Sequence, residues 1–192
     1  NEPKKILDYL GRIETASEQL LGLINNILEI SRIESGKIQL EETPCSLLDI
    51  IKDVQKIVLA QAEIKNIAFS INLSGLQHTN VYCDHEKLNR ILLCLTGNAI
   101  KYTENGGRIY MTVTEHKEAA YNYAVYQFMV EDNGIGISEN YIKRIFDPFE
   151  RVENTTLSGI HGTGLGLTIV KNLVDLMSGT IEVSSSRGKG SK

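Results

Sequence analysis

The stretch Asp132-Asn133-Gly134-Ile135-Gly136-Ile137 decides how the rest of the chain is interpreted. It follows directly after residues 125–132, whose alternating pattern predicts a strand. An aspartate at the end of a strand can accept a hydrogen bond from an exocyclic amino group such as that of adenine. The two glycines allow the backbone to approach a flat ring, because no Cβ stands in the way. The same residues also fit a tight turn closed by the aspartate side chain, so this corner alone leaves both interpretations open.

A second glycine-rich corner, His161-Gly162-Thr163-Gly164-Leu165-Gly166-Leu167, leads into an apolar helix predicted over residues 165–177. Three glycines expose consecutive backbone N–H groups, and the N-terminus of a helix adds a partial positive charge. Together these features form an anion site suited to phosphates. The alternative is a flexible loop that merely caps the helix.

A third group of polar residues, Asn98-Ala99-Ile100-Lys101-Tyr102-Thr103, lies near the end of an otherwise apolar helix that Asp84 is expected to cap. Asn98 and Lys101 are three positions apart and therefore share one helix face. The amide oxygen of an asparagine is a hard ligand suited to Mg²⁺, and a lysine suits a phosphate. Equally, Asn98 could be a buried amide and Lys101 a solvated charge at the helix end.

The N-terminal part of the chain is predicted to be one long helix over residues 3–35, ended by Gly36. Its apolar residues recur at helical spacing and are too numerous for a helix that stands alone in water, so we expect it to pack into a dimeric bundle. The alternative is a helix folded onto its own domain. The residues that form this face are Ile6, Leu10, Ile13, Ala16, Leu20, Leu21, Leu23, Ile24, Ile27, Leu28 and Ile30.

Beyond Gly36 the pattern alternates between short strands and helices, with a break at residues 43–46 and a polar loop at 74–80. This order predicts an α+β fold, in which helices cover one face of a mixed sheet. The predicted strands cover residues 37–42, 67–73, 81–83, 108–115, 125–132 and 180–185, and the predicted helices cover 47–62, 84–102, 138–145 and 165–177.

Composition excludes several classes of function. The 192 residues carry a net charge of −4, which disfavours nucleic acid as a partner. No apolar run approaches the ~20 residues needed to cross a bilayer. The three cysteines, Cys45, Cys83 and Cys94, are far apart and form no CxxC pair, which indicates reduced thiols in a cytosol instead of disulfides or a zinc site. No P-loop, complete dinucleotide fingerprint or HExxH motif is present.

Taken in order along the chain, these motifs resemble the ATP-binding domain of sensor histidine kinases, whose fold is shared with gyrase, Hsp90 and MutL. Residues 98–103 resemble its N box, 132–137 its G1 box, 146–149 its F box and 162–167 its G2 box. For residues 38–192 the resemblance implies a two-layer α/β sandwich of the Bergerat type. Residues 1–37 look like the second helix of the family's dimerisation and histidine-phosphotransfer hairpin.

The resemblance also implies a role for each matching residue. Asp132 would recognise the adenine amino group, Asn98 would coordinate Mg²⁺, Lys101 would contact a phosphate and Tyr102 would stack on the adenine. Residues 146–161 would form a lid over the nucleotide. The remaining positions expected around ATP are Gly134, Gly136 and Ile137 at the base, Arg151 in the lid, Gly162, Thr163, Gly164, Leu165, Gly166 and Leu167 at the phosphates, and Ser191 at the adenine floor.

The chain departs from the family pattern in three places. No histidine precedes His78, so the phosphoacceptor is expected outside this chain and autophosphorylation is not expected. Cys94 occupies a position where kinases carry asparagine and hydrolytic relatives carry glutamate, so we expect ATP binding with little hydrolysis. The sequence stops at Lys192, where the family pattern continues into another strand.

We therefore expect a cytoplasmic part of a longer histidine kinase. It would bind Mg-ATP, dimerise through the N-terminal helix, and transfer the γ-phosphoryl group to a histidine elsewhere. The receiver domain of a response regulator would be the next acceptor. One alternative is a non-catalytic ATP sensor of the same fold, and another is an ATP-gated clamp of the gyrase or MutL kind.

Overall fold

The computed structural model describes residues 2–117, 124–150 and 163–192. Within these ranges the helices are α1 (Glu2–Glu34), α2 (Leu47–Ile64), α3 (His85–Tyr102), α4 (Glu139–Ile142) and α5 (Gly166–Leu176). The strands are β1 (Thr43–Ser46), β2 (Ala68–Asn72), β3 (Asn80–Cys83), β4 (Arg108–Lys117), β5 (Ala124–Asp132), β6 (Ser185–Ser186) and β7 (Gly190–Ser191).

The main sheet has the strand order β2-β4-β5-β7-β6. β2 runs parallel to β4 and the other neighbours are antiparallel, so the sheet is mixed, as predicted. Residues of β4 alternate, with Ile109, Met111 and Val113 fully buried while Tyr110 is exposed. The buried side packs against α2 and α3, which confirms an α+β fold with helices against the sheet.

α2 and α3 begin where the sequence predicts, because each has a capping side chain. The Ser46 hydroxyl accepts a hydrogen bond from the Asp49 N–H group, and the Asp84 carboxylate accepts one from the Lys87 N–H group. Such caps satisfy backbone donors that the first turn of a helix leaves without a partner. Asp84 also accepts a hydrogen bond from the Glu41 N–H group at 3.0 Å, which ties the segment before β1 to the start of α3.

Two strand predictions are wrong in their bounds. The predicted break at residues 43–46 is β1, which pairs with β3, and Pro44 is tolerated because a two-stranded sheet consists of edge strands. Residues 37–42 and 180–183 retain an alternation of half-buried and exposed side chains but form no strand. An alternating pattern shows which side of the chain each residue faces, but a strand also needs hydrogen bonds from its backbone to a neighbouring strand. In the second segment such bonds begin at Ser184, which pairs with Lys192.

α1 is one continuous helix, as predicted, and one face of its C-terminal half packs against the rest of the fold. Near its C-terminus Leu23, Ile30 and Ile33 pack on a cluster formed by α3 and α5. Arg90 of α3 forms an ion pair with Glu29 and donates to the Asn26 side chain at 3.1 Å. Among its described side chains, eight large apolar ones remain 42–61% exposed, namely Ile6, Leu10, Ile13, Leu20, Leu21, Ile24, Ile27 and Leu28.

Candidate functional site

Asp132 is the last residue of β5 and lies at the centre of the candidate site. It pairs with Ile109 on one side and with Ser191 on the other. Its Oδ1 atom accepts a hydrogen bond from the Gly134 N–H group at 2.8 Å, so the tight turn foreseen from the sequence is present. Burial raises the pKa of the carboxyl above its ordinary value, and N–H groups of Gly134 and Ser191 act in the opposite direction. The site thus holds a half-buried acceptor at the end of a strand.

The glycines that follow Asp132 allow the chain's own backbone to pack closely. A Cβ on Gly134 would lie 2.3 Å from the carbonyl oxygen of Tyr102, and a Cβ on Gly136 would lie 2.0 Å from that of Ser186. Gly136 also has a φ of +64°, which other residues adopt only at a cost. The fold itself therefore requires the close approach of these backbone segments, whether or not a flat ligand binds. The loop 133–137 is fixed between the end of α3 and the β6–β7 hairpin.

The C-terminal end of α3 joins this loop directly. The Ile135 N–H group donates to the Tyr102 carbonyl oxygen at 3.1 Å. Lys101 lies over the Tyr102 ring, with its Nζ atom 4.9 Å from the ring centroid, a cation–π geometry. Two of the motifs singled out in the sequence, residues 98–103 and 132–137, are thus in backbone contact.

Lys65 is a positioning residue that sequence reasoning missed. From the turn after α2, its Nζ atom donates to the carbonyl oxygens of Ile100, Lys101 and Thr103 at 2.9, 3.1 and 3.0 Å. A cation at the C-terminus of a helix satisfies carbonyl groups that have no intrahelical partner and opposes the negative end of the helix dipole. In the sequence Lys65 reads only as a basic residue at the end of its own helix. Its targets lie 35 to 38 residues further along the chain, and no local signal reveals them.

Asn98 lies one turn after Cys94 on α3, and its Nδ2 atom is 3.9 Å from the Cys94 Sγ atom. Burial raises the pKa of the Cys94 thiol to about 11, so this thiol remains protonated near neutral pH. No described donor bonds to the Oδ1 atom of Asn98. This amide oxygen is a hard ligand of the kind that Mg²⁺ prefers.

The start of α5 lies next to the same face of α3. A Cβ on Gly166 would lie 3.0 Å from the Cys94 Sγ atom, so the absence of a side chain allows the two helices to approach. Leu165 occupies the N-cap position and its own side chain is completely buried; no side chain caps the first turn. Thr163 instead accepts a hydrogen bond from the Leu165 N–H group through its hydroxyl at 3.3 Å, and Leu167 follows in the first turn. The N–H groups of that turn are consistent with the anion site predicted from the sequence.

Phe149, near the start of the predicted lid, contacts Gly164 in the glycine-rich corner that follows the lid; lid residues 151–161 lie outside the described residues. The Phe149 N–H group donates to the Gly164 carbonyl oxygen at 3.0 Å, and a Cβ on Gly164 would lie within 2.8 Å of Phe149 backbone. Both residues have positive φ angles, 63° and 73°. Arg151 and Gly162, which the resemblance also places near the nucleotide, lie outside the described residues.

Ser191, the last of the residues expected around ATP, pairs with Asp132 across β7 and β5. Its Oγ atom is 3.0 Å from that of Ser185, which also accepts a hydrogen bond from the Ile137 N–H group at 2.8 Å. The Ser185 hydroxyl therefore links the Ile137 N–H group to the Ser191 side chain. The β6–β7 hairpin closes one side of the 133–137 loop.

A cavity of about 580 Å³ opens between α1, α3 and α5 next to this face. Cys94 and Gly166 contribute to its wall, so it adjoins the place where α3 and α5 meet. Its polar lining comes from Asn26, His85, Glu86, Asn89 and Arg90.

The donor set fits a metal that arrives with a phosphate ligand. No cluster of three or more His, Cys, Asp or Glu side chains able to hold an ion occurs in the part of the chain that the structure describes. Mg²⁺ prefers oxygen and is commonly held by one or two protein groups together with phosphates and water. The free Oδ1 atom of Asn98 suits that arrangement, and the neutral Cys94 thiol does not compete with it.

Comparison with known proteins places these features in a family. Residues 83–192 match the family described as "Histidine kinase-, DNA gyrase B-, and HSP90-like ATPase". The chain is 35% identical to the sensor histidine kinase GacS of Pseudomonas protegens over 188 residues, which is 97% of this chain and 20% of that protein. The chain thus spans about a fifth of the length of this curated relative.

Solved structures of histidine kinases share the fold of this chain. Full-length ShkA in complex with AMPPNP is similar with a TM-score of 0.80 and 28% identity, covering 96% of this chain and 36% of that one. The histidine kinase ThkA in complex with the response regulator protein TrrA has the same fold, with a TM-score of 0.72 and 23% identity, covering 100% of this chain and 50% of that one. None of the described helices is both long and apolar enough to cross a membrane.

Proposed function

Because the chain belongs to the family of histidine kinase-, DNA gyrase B- and HSP90-like ATPases, we propose that Asp132, Asn98 and the start of α5 hold Mg-ATP for transfer to a histidine outside this chain. The chain carries an ATP-binding domain of the sensor histidine kinase type. The division we propose is residues 1–37 as a helix of the dimerisation and phosphotransfer domain and 38–192 as the ATP-binding domain.

The observation that carries the proposal is that the 132–137 loop and the start of α5 both contact α3, within about one helical turn on either side of Asn98. Ile135 is hydrogen-bonded to Tyr102, and Gly166 lies against Cys94, one turn before Asn98. We infer from these two contacts that one ligand can reach an acceptor for an amino group, a hard oxygen and the N-terminus of a helix. These are the groups that a base, a metal and a chain of phosphates require.

In this proposal each group has a separate task. Asp132 accepts from the adenine amino group, with Gly134, Gly136, Ile137 and Ser191 shaping its surroundings. Lys101 faces the phosphates. The Tyr102 ring supports the adenine base, with the Lys101 cation beside it. Backbone donors from Thr163 to Leu167 orient the phosphates. Asn98 would hold Mg²⁺, which would supply charge stabilisation to the phosphates; phosphoryl transfer depends mainly on such stabilisation and on positioning.

The direct test is transfer of a labelled γ-phosphoryl group. In a longer form of the protein that includes the preceding helix, we expect acid-labile label on a histidine, lost on Asp132→Ala or Asn98→Ala substitution. The 192-residue chain alone should acquire no acid-labile label, because no histidine precedes His78. Acid-labile label on the isolated chain would contradict the assignment of the acceptor outside it.

A non-catalytic ATP sensor is the second candidate, and Cys94 is the observation that favours it. A neutral thiol near Asn98 supplies neither a metal ligand nor a general base. A longer form that binds ATP but transfers no phosphoryl group would support the sensor. Recovery of transfer on Cys94→Asn would identify the thiol as the cause.

We propose that α1 forms the dimer interface and that a response regulator receives the phosphoryl group next. The support for a dimer is the row of exposed apolar side chains on α1, which includes Ile13, Leu20 and Ile27. Light scattering should report a dimer for the wild-type chain and a monomer for Ile13→Glu/Leu20→Glu. The support for the regulator is that the similar kinase ThkA was solved in complex with one.

A further inference from the structure

Cys45 and Cys83 form a pair of thiols that play no part in the proposed nucleotide site. Cys45 pairs with Val81 and Cys83 with Thr43, so the two cysteines are diagonal neighbours on one face of the β1–β3 sheet. Their Sγ atoms are 2.6 Å apart. That separation is about half an ångström more than the ~2.05 Å of a disulfide bond. The fold therefore brings together two residues that are 38 positions apart in sequence.

We propose that Cys45 and Cys83 are a site of reversible disulfide formation by a peroxide, which covalently ties the segment after α1 to the start of α3. The two sulfur atoms already meet, because the antiparallel pairing places both side chains on one face of the two-stranded sheet. Spacing in the sequence had indicated isolated reduced thiols, since cross-strand neighbours leave no CxxC signal.

The difference in burial assigns an order to the two thiols. Cys45 is half-buried, whereas Cys83 is buried in the core. Burial, together with the neighbouring Cys45, raises the pKa of the Cys83 thiol to about 12. Cys45 is therefore the sulfur that reacts first with an oxidant from solvent, and Cys83 is the one that resolves the product.

The chemistry balances with one peroxide. The Cys45 thiolate attacks a peroxide oxygen, an S–O bond forms, the O–O bond breaks, and the departing hydroxide takes up the thiol proton as water. The Cys83 sulfur then attacks the Cys45 sulfenic acid. An S–S bond forms, the S–O bond breaks, and the hydroxide leaves with the Cys83 proton as a second water. Two thiols lose two electrons, and the peroxide is reduced to two molecules of water.

The position of the pair decides what the bond would do. β1 directly follows residues 35–42, which connect α1 to the rest of the fold. Cys83 directly precedes Asp84, the residue that caps α3 and accepts the Glu41 N–H group. In the reduced chain this segment is linked to the start of α3 by non-covalent contacts, which include the Glu41–Asp84 hydrogen bond and the β1–β3 pairing. A disulfide would add a covalent link and close a loop that contains α2 and β2.

The experiment treats the reduced 192-residue chain with stoichiometric hydrogen peroxide, blocks remaining thiols and maps the peptides by mass. We expect a Cys45–Cys83 disulfide, a single blocked thiol at Cys94, and a midpoint of thermal unfolding raised by roughly 5–10 °C. Dithiothreitol should reverse both changes. The Cys94→Ala chain should show the same disulfide and the same shift, whereas Cys45→Ser and Cys83→Ser should show neither.

Other outcomes would overturn the proposal. One is recovery of three blockable thiols after treatment, and another is over-oxidation of Cys45 while Cys83 stays free. A disulfide that forms without raising the unfolding midpoint would contradict the link between β1 and α3. Because the readouts are thiol content and stability, they are independent of whether the chain binds ATP.

Discussion

At the scale of single residues, we expect the ionisation of Asp132 to make ATP binding depend on pH. Burial raises its pKa, so the carboxylate loses its charge at a higher pH than an ordinary aspartate does. Because the ionised form is the better acceptor for an amino group, ATP affinity should fall on acidification and start to do so above the usual range for aspartate. Titration calorimetry at a series of pH values measures this. Asp132→Asn is the control, because it has no carboxylate to titrate at this position. If the ATP affinity of the wild-type chain changed with pH in parallel with that of the variant, the Asp132 carboxylate would be excluded as the cause.

Gly134 tests the close packing between the 133–137 loop and α3. Its replacement by alanine puts a Cβ against the Tyr102 carbonyl oxygen, which cannot move without disturbing α3. We expect Gly134→Ala to destabilise the fold by about 1–3 kcal/mol and to weaken ATP binding. The matched variant is Gly97→Ala in α3, where a Cβ meets nothing within 4 Å.

Alanine has a higher helix propensity than glycine, and the added Cβ at position 97 meets no neighbour. Gly97→Ala should therefore stabilise the fold by about 0.5–1 kcal/mol. Urea unfolding of both variants provides the comparison. Equal stability changes in the two would show that the Tyr102 contact imposes no constraint.

At the scale of elements, the end of α3 depends on Lys65. Lys65→Met leaves the carbonyl oxygens of Ile100, Lys101 and Thr103 without their donor, so we expect a loss of about 2 kcal/mol and an ATP affinity several-fold lower. Lys65→Arg can still donate to several carbonyls and should recover most of the affinity. Lys56→Met is the control, because Lys56 pairs with Asp53 on the exposed face of the same helix. Loss of stability with unchanged affinity would reduce Lys65 to a purely structural role.

Whole elements with strong periodicity and a cap were predictable from the sequence, and those that depend on a distant partner were not. α2 and α3 have both apolar spacing and capping side chains at Ser46 and Asp84, and their starts are where expected. β1 could not be found, because its pairing with β3 joins residues about 40 positions apart and Pro44 signals a break. The contact between the Cys45 and Cys83 side chains and the hydrogen bonds from Lys65 to the end of α3 were missed for the same reason.

The candidate site follows the same division. The motifs could be identified from residue types and order, and the Ile135–Tyr102 hydrogen bond and the Gly166–Cys94 contact bring them together. What local sequence could not provide is the reason for the glycines. Gly134 and Gly136 accommodate carbonyl groups of Tyr102 and Ser186, which belong to other elements.

At the scale of the whole molecule, Glu115 links the loop after β2 to the sheet. Its carboxylate accepts hydrogen bonds from the N–H groups of Gln77 and His78 and lies 2.6 Å from the His78 Nδ1 atom. The His78 side chain, followed by these backbone donors, lowers the pKa of Glu115 from 4.5 to about 2. A lowered pKa means that the stabilisation is complete above the ordinary value and is lost as the pH falls toward about 2.

Glu115→Gln should therefore be less stable than the wild-type chain at neutral pH, and the difference should shrink between pH 4.5 and 2. Urea unfolding at several pH values measures that difference. Glu182→Gln removes an exposed carboxylate and should leave stability nearly unchanged at every pH. A constant gap between wild type and Glu115→Gln throughout this range would exclude the carboxylate as its source.

The central claim is that one face of this molecule, built from the ends of β5 and α3 and the start of α5, binds Mg-ATP. Calorimetric titration of the folded chain with ATP and ADP, with and without Mg²⁺ and alongside Asp132→Ala, tests it most directly. We expect ATP binding that is strengthened by Mg²⁺ and abolished by the Asp132 substitution. Absence of ATP binding by a chain shown to be folded, or binding that is unchanged in Asp132→Ala, would contradict it.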